Sequence, residues 1–393
     1  MIVYNKIFRN IHKQKNGGKS MKMKSVISGI LTAALALSLV ACGSSKEEST
    51  TAATVADTAA TTAAETASKG DSATVAEGAD AYADLPEMEI IVASATAASP
   101  AKNSIYAVMS EAAEAIHEKS GGKLTVKLIW DGALGGDLEL IDSVMAGDIS
   151  AVFCATSSMS GYIKESAVFD MPCLYDDLDQ VNKAIDQFYP EYNGLANEQN
   201  LEDLCLFSNL FRGLTTNVKI EGPEDFKGMT IRTAENPYYM NFYSNLGCSP
   251  TPLAFTELFM ALQQGLVKAQ DNPIAAVYAS KFYEVQDYYM DLDAFTYVFG
   301  VFMNKDQFDA LPLEYQELMK EFAAQFAEEA VLRNSVEREE AIEGIGDQIE
   351  ILPMTDEIRA AVKEAATPVY DLMRENLGAE FVDRYLAIAD SVK

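Results

Sequence analysis

Histidine and tryptophan are nearly missing from this chain: 393 residues hold 2 His and 1 Trp, with 5 Cys. Only His117 lies downstream of residue 42. His-rich zinc sites and HExxH peptidase chemistry therefore have no residues to draw on. Neither a GxSxG nucleophile elbow nor a GxxxxGK[ST] phosphate loop occurs, which removes two common signatures of hydrolases and nucleotide-binding proteins. The Gly-rich turn GALGGD, at 132–137, is too short a pattern to count as a phosphate cradle. Positive charge is scarce and uneven. Of 30 Lys+Arg against 59 Asp+Glu, seven cations (Lys6, Arg9, Lys13, Lys15, Lys19, Lys22 and Lys24) precede Ser25 with no acid among them. From Cys42 onward the balance is 23 against 59, a net −36. A surface this acidic repels phosphate backbones and anionic headgroups, which argues against a nucleic-acid partner. It leaves room for one anionic ligand in a locally basic pocket. No metal, cofactor or catalytic set is expected.

Long hydrophobic runs are also missing, with one exception. Residues 26–41, VISGILTAALALSLVA, follow the basic stretch and end in small residues, the pattern of an export signal. At sixteen residues the run is shorter than the roughly 20 of a membrane span. Leu39-Val40-Ala41-Cys42-Gly43 resembles the bacterial lipobox, in which the cysteine is acylated and becomes the mature N-terminus. The expected address is the outer face of the cytoplasmic membrane, held by lipid on Cys42. The signal makes better sense starting at Met21 or Met23, with Asn16–Lys19 as a translated ribosome-binding sequence. Residues 43–85 are mostly Ala, Thr, Ser, Glu and Asp and read as a flexible acidic tether. The remaining cysteines, Cys154, Cys173, Cys205 and Cys248, show no disulfide framework or metal spacing. They read as free thiols, with a single bridge as the alternative that export permits.

The body that begins near Met88 has enough residues for two domains and alternates strand and helix patterns. Glu89–Ala93 is a short apolar strand, and Ile105, Met109, Ala112 and Ile116 recur at helical spacing up to Ser120-Gly121-Gly122. Leu124–Trp130 reads as a strand, 137–146 as a helix stopped by Gly147, and Ile149–Ala155 as a buried strand. The pattern returns after residue 212. Met229–Arg232 and Val267–Gln270 read as strands, Ser249–Pro252 as extended, and Pro237–Leu246, Thr256–Gln264 and Ile274–Phe282 as helices. Strands spaced by such helices imply parallel βαβ units, an α/β fold in two halves. Residues 306–345 carry helical pattern that, if continuous, is roughly 45 Å long and must bend or bridge both halves. A last helical region covers about 356–390.

In open parallel sheets a ligand sits beyond the carboxyl ends of the strands. Those ends are Ser94–Thr96, Thr156–Ser158, Arg232, Pro252–Phe255 and Asp271-Asn272-Pro273. An arginine ending a buried strand needs an anion. For Arg232 that is either Glu235 or Glu257 of its own fold or the carboxylate of a ligand. Asn272 either caps the helix after Pro273 or donates to a ligand oxygen. Phe255 is core or pocket wall, and Arg212 is a surface charge or part of the site. Thr156 and Ser157 offer hydroxyls and no charge.

Several stretches, among them GGKLTVKLIWDGALGGDLELIDSVMAGDISAVFCAT, FRGLTTN, PEDFKGMTIRT and LGCSPTPLAFTELFMALQQGLVKAQDNP, stand in the order and spacing of one family. From about residue 88 to 390 the chain resembles the solute receptors of tripartite ATP-independent periplasmic (TRAP) transporters. The resemblance implies a two-domain α/β fold like that of periplasmic binding proteins, with parallel-type sheets, a ligand cleft and a long bridging helix. With the leader and signal (1–41) and the lipidated Cys42 with its disordered acidic tether (42–86) read above, the expected division of the body is domain I (87–210 plus 298–338) and domain II (211–297 plus 339–393). The resemblance also implies that Arg232 forms the main salt bridge to a substrate carboxylate, with Asn272, Arg212 and Phe255 at the same site. The expected activity is capture of a small organic acid for membrane permease subunits, without catalysis. A ligand-sensing partner of a signalling system, a receptor for ATP-driven uptake and a secreted enzyme are the competing uses of such a cleft.

Overall fold

A computed structural model describes residues 79–393. The signal, Cys42 and most of the expected tether lie outside the described residues. The end of that tether is not a free linker. Tyr82 is buried and stacks on Tyr315, with ring centroids 6.4 Å apart, and Tyr315 donates its hydroxyl to the Pro86 carbonyl at 2.7 Å. The aromatic ring supplies burial that the Ala/Thr-rich stretch before it cannot.

The first half runs β1 (Met88–Ala93), α1 (Ile105–Lys119), β2 (Leu124–Ile129), α2 (Asp137–Ala146), β3 (Ala151–Ala155), α3 (Thr156–Met159), α4 (Leu178–Glu198) and β4 (Leu201–Phe211). The second runs β5 (Gly213–Thr216), β6 (Thr230–Thr233), α5 (Pro237–Asn245), β7 (Ser249–Pro252), α6 (Leu258–Gln263), β8 (Ala269–Asn272), α7 (Ile274–Ala279) and β9 (Tyr288–Met290). The chain closes with β10 (Thr296–Asn304), α8 (Lys305–Asp309), α9 (Leu313–Leu332), α10 (Asn334–Ile345), β11 (Glu350–Ile351), α11 (Asp356–Leu377) and α12 (Ala379–Ser391). Local chemistry sets the ends. Ser104 accepts from Ala107 N at the start of α1, Glu139 reaches back to Gly136 N before α2, and Gly147 ends α2 at φ 80°. A left-handed residue at that position suits glycine, which has no Cβ to clash.

Two sheets result, ordered β2-β1-β3-β10-β4 and β11-β9-β5-β8-β6-β7. The β1–β2 and β1–β3 pairs are parallel, as are β6–β7 and β6–β8. Each sheet also holds one reversed strand: β10 lies antiparallel to β3 and β4, and β5 to β8 and β9. The sheets are thus mixed, where βαβ spacing alone predicts parallel pairing. Both reversed strands directly follow a passage of the chain from one sheet to the other. The two passages, at Arg212 and at 291–295, are tied together: Arg212 N donates to Phe295 O at 2.9 Å and Asp293 N to Arg212 O at 3.2 Å.

The helical stretch 306–345 is three pieces, with a break at Arg333. α9 packs on β4 and α1 through Tyr315, Phe322 and Phe326, whereas α10 packs on α7. The break lets one stretch of helix serve both sheets. The last helical region splits at Gly378 (φ 91°), and α12 packs on α4, with Tyr385 and Tyr175 hydroxyls 3.0 Å apart. Cys154, Cys173, Cys205 and Cys248 are free thiols. No described helix is long and apolar enough to cross a membrane.

Candidate functional site

The carboxyl ends of β1, β3, β6 and β8 converge on a small cavity of about 30 Å³. Arg212, Arg232, Asn272, Phe255 and Ser157 all line it, joined by Thr96, Asp137, Ser158 and Tyr297. Thr156 points its hydroxyl elsewhere, donating to the Val298 carbonyl at 3.4 Å.

The two arginines differ in one respect that decides their use. Arg212 is 3% exposed, and its Nε meets Asp271 Oδ2 at 2.9 Å while Nη2 donates to the Asp271 carbonyl at 2.6 Å. Its guanidinium carbon also sits 4.6 Å from the Tyr297 ring and 5.3 Å from Tyr239. Burial alone depresses its pKa, but Asp271, Tyr239 and Tyr297 outweigh that and hold it well above the ordinary value. Arg212 is therefore a satisfied cation, not the surface charge that was its alternative.

Arg232, at 4% exposure, is equally buried and has no carboxylate within salt-bridge distance among the described residues. Its Nε and Nη2 both donate to the Leu253 carbonyl, at 2.9 and 2.6 Å, and its guanidinium carbon lies 5.9 Å from the Phe255 ring. Neither Glu235 nor Glu257 pairs with it. The carbonyl aims the guanidinium without neutralising it. Burial pushes its pKa down to about 10, partly offset by Asp271 and reinforced by Arg212. A buried charge without a partner is expensive, and a carboxylate is the group that its planar fork holds best.

Asn272 does not cap the helix after Pro273. Its amide donates to Gln270 Oε1 at 2.6 Å, and Gln270 donates to Thr215 Oγ1 at 2.8 Å. This chain of buried amides fixes the side chain at the end of β8. Phe255 is both wall and core, half-buried on the cavity and edge-on to Phe282 at 5.9 Å.

Asp137, which sequence reasoning missed, opens α2 on the opposite wall and accepts from Ser158 Oγ at 2.9 Å. Burial raises its pKa, with Ser158 and Arg232 opposing. GALGGD thus delivers a carboxylate to the site instead of cradling a phosphate. Its glycines have a second use. Gly132 sits at φ 63°, and a Cβ there would lie 2.6 Å from Thr256 Cγ2. The turn after β2 and the segment after β7 approach this closely because that Cβ is missing.

Comparison with known proteins gives this arrangement a family. The profile of bacterial extracellular solute-binding protein family 7 matches residues 94–376. The chain belongs to that family. A solute-binding protein of Verminephrobacter eiseniae is 30% identical over 257 residues, 63% of this chain and 74% of its own. A C4-dicarboxylate-binding protein of Bacillus subtilis is 26% identical over 282 residues, 70% of this chain and 80% of its own. A sugar acid binding protein of Advenella mimigardefordensis, solved with galactonate, superposes with a TM-score of 0.73 at 26% identity, covering 79% of this chain and all of that one. The family-7 chain is thus a TRAP-type solute receptor. In this receptor the residues that sequence reasoning missed are Asp137 and Tyr297, and the pairing of Asp271, itself named as a strand end, with Arg212 was missed too; all three roles depend on contacts remote in sequence. Only the Asp at the first position of a Gly-led helix was a legible signal.

Proposed function

We propose that this receptor captures one carboxylate of a small organic acid on Arg232, between two lobes built on the two sheets. The lobes correspond to residues 87–210 with 298–338 and 211–297 with 339–393, and α12 straps the second back onto α4. Arg212 positions the site while its charge stays with Asp271, Asn272 and Ser157 supply polar contacts, and Phe255 covers the guanidinium. The observation that carries this reading is the buried, acid-free Arg232 on the cavity wall. Relatives that bind C4-dicarboxylates and galactonate share a carboxylate at least. Asp137 opposite Arg232 disfavours a second carboxylate and suits hydroxyl groups, so hydroxy acids fit better than dicarboxylates.

Cys42 holds the receptor by lipid on the outer face of the cytoplasmic membrane, and the loaded form delivers its acid to the membrane permease subunits. Loss of palmitate labelling in Cys42→Ser tests the anchor. For the site, a thermal-shift screen of hydroxy acids, sugar acids and dicarboxylates is run on the wild type and on Arg232→Ala. Stabilisation by at least one acid in the wild type, lost in the variant with the ligand-free melting temperature unchanged, is the expected outcome. A large drop in the ligand-free melting temperature of the variant assigns Arg232 to the fold and sinks the reading.

A further inference from the structure

A second, narrow cavity, of about 40 Å³, adjoins the first and shares Thr96 and Tyr297 with it. It lies between the start of α1, strands β4 and β10 of the first sheet, and the face of α7, which follows β8 of the second. Its walls are mainly apolar, from Ile105, Leu210, Pro273 and Phe299 among others. The small side chains of Ala275, Ala276 and Ala279 on α7 keep it open.

Its polar floor is built and incomplete. Glu337 of α10 accepts from Ile105 N at 3.2 Å with one oxygen and from Asn209 Nδ2 at 2.9 Å with the other. Glu337 therefore fixes which way the Asn209 amide points, since its carboxylate takes the amide's donor end. Asn209 is 1% exposed, lines the cavity, and its Oδ1 accepts no hydrogen bond from any of the described residues. A buried carbonyl oxygen without a donor costs free energy that a ligand donor recovers.

We infer that this second cavity takes the tail of the captured acid, an apolar segment ending in a hydrogen-bond donor that Asn209 Oδ1 accepts. The inference rests on the carboxylate being held at Arg232. The tail passes between Thr96 and Tyr297, and its donor is a hydroxyl or an ammonium group. The ligand is then an elongated ω-hydroxy or ω-amino acid, and a compact acid fills only the first cavity.

The test is calorimetric titration of the full chain with straight-chain carboxylates of rising length that end in methyl, hydroxyl or ammonium. At the length that reaches Asn209, a donor-ended acid binds about tenfold tighter than its methyl-ended match. Asn209→Leu removes that preference. Ala276→Leu, which fills the cavity from the half-exposed face of α7, weakens the long acids and spares the short ones. The hydroxyl and ammonium arms decide between the two donors. Acids that bind through Arg232 with no preference for their ends, or an end preference that survives both variants, overturn this inference and leave the carboxylate reading standing. If no acid of the broader screen binds, or if binding survives Arg232→Ala, the carboxylate reading falls and takes the inference with it.

Discussion

Arg212 and Arg232 share a residue type, a cavity and near-complete burial, yet they sit in opposite electrostatic worlds. At the passage between sheets, Arg212 meets Asp271 twice and lies between two tyrosine rings. At the end of β6, Arg232 meets a carbonyl and the face of Phe255 and, among the described residues, has no carboxylate at salt-bridge distance. A buried cation with its counter-charge in the same chain is part of the scaffold. A buried cation whose counter-charge is absent from the chain needs one from outside. The difference between structure and site here is a single carboxylate, and substitutions at the two arginines should separate accordingly.

The largest effect is expected at Arg212. Arg212→Ala leaves Asp271 buried without its partner, which costs about 3–5 kcal/mol of stability. Chemical denaturation should show this as a lower midpoint with or without ligand. An unchanged midpoint would mean that water or a tyrosine hydroxyl satisfies Asp271 and that the pair is not structural. The mirror result is expected at Arg232, where truncation leaves the fold intact and abolishes capture.

A finer cut comes from keeping the charge and removing the fork. Arg232→Lys retains a cation at the end of β6 but offers a point charge in place of two parallel donors, and it cannot reach Leu253 O and a ligand with the same geometry. Affinity for the captured acid should fall about tenfold, some 1.4 kcal/mol, with stability unchanged. Equal affinity in Arg and Lys forms would show that the site reads charge alone.

Much of this site was legible in the sequence, and the boundary of what was legible has a physical cause. Strand ends are local features, so Arg232, Asn272 and Phe255 were found from apolar runs and the Gly and Pro residues that stop them. The pairing state of an arginine is not local. Arg212 and Asp271 are 59 positions apart and meet because β5 and β8 pair antiparallel. That pairing in turn depends on the reversal of β5, which helix and strand spacing does not encode. The long α4 and the almost wholly buried β4 have no counterpart among the sequence-based expectations. The length of the stretch predicts that it bends or bridges both halves, but not where: the helical pattern continues across Arg333, and only the change of packing partner, from β4 to α7, divides α9 from α10. In the GALGGD turn the glycines were noticed and the aspartate that follows them was not, although the aspartate is the residue that faces the ligand space.

The smallest expected effect concerns the surroundings of Arg212 and gives its region a pH signature of its own. Asp170 is buried, accepts from Tyr239 Oη and Asn236 Nδ2, each at 2.8 Å, and has Arg212 and Asp271 nearby. Burial raises its pKa to about 7, against the pull of Tyr239, Arg212 and Asn236, with Asp271 adding to the rise. An acid whose folded pKa lies above its unfolded one holds more protons in the native state. The stability it contributes is fully present below about pH 4 and is lost as pH rises through about 7. Glu337, also raised to about 7 by burial, with Glu340 adding to the rise and its bond from Ile105 N opposing it, slopes the same way. The ligand-free chain should therefore melt at a higher temperature near pH 5 than near pH 8. Asp170→Asn should flatten this slope without removing it, because Glu337 remains. Arg232→Ala should leave the Asp170 and Glu337 parts of the slope as they are and steepen it only through Asp137, whose burial-raised pKa Arg232 opposes. A slope unchanged in Asp170→Asn would place the titrating group elsewhere and detach Asp170 from the Arg212 network. A slope that vanished in Arg232→Ala would mean that the two arginines share one electrostatic unit, and the contrast between them would no longer hold.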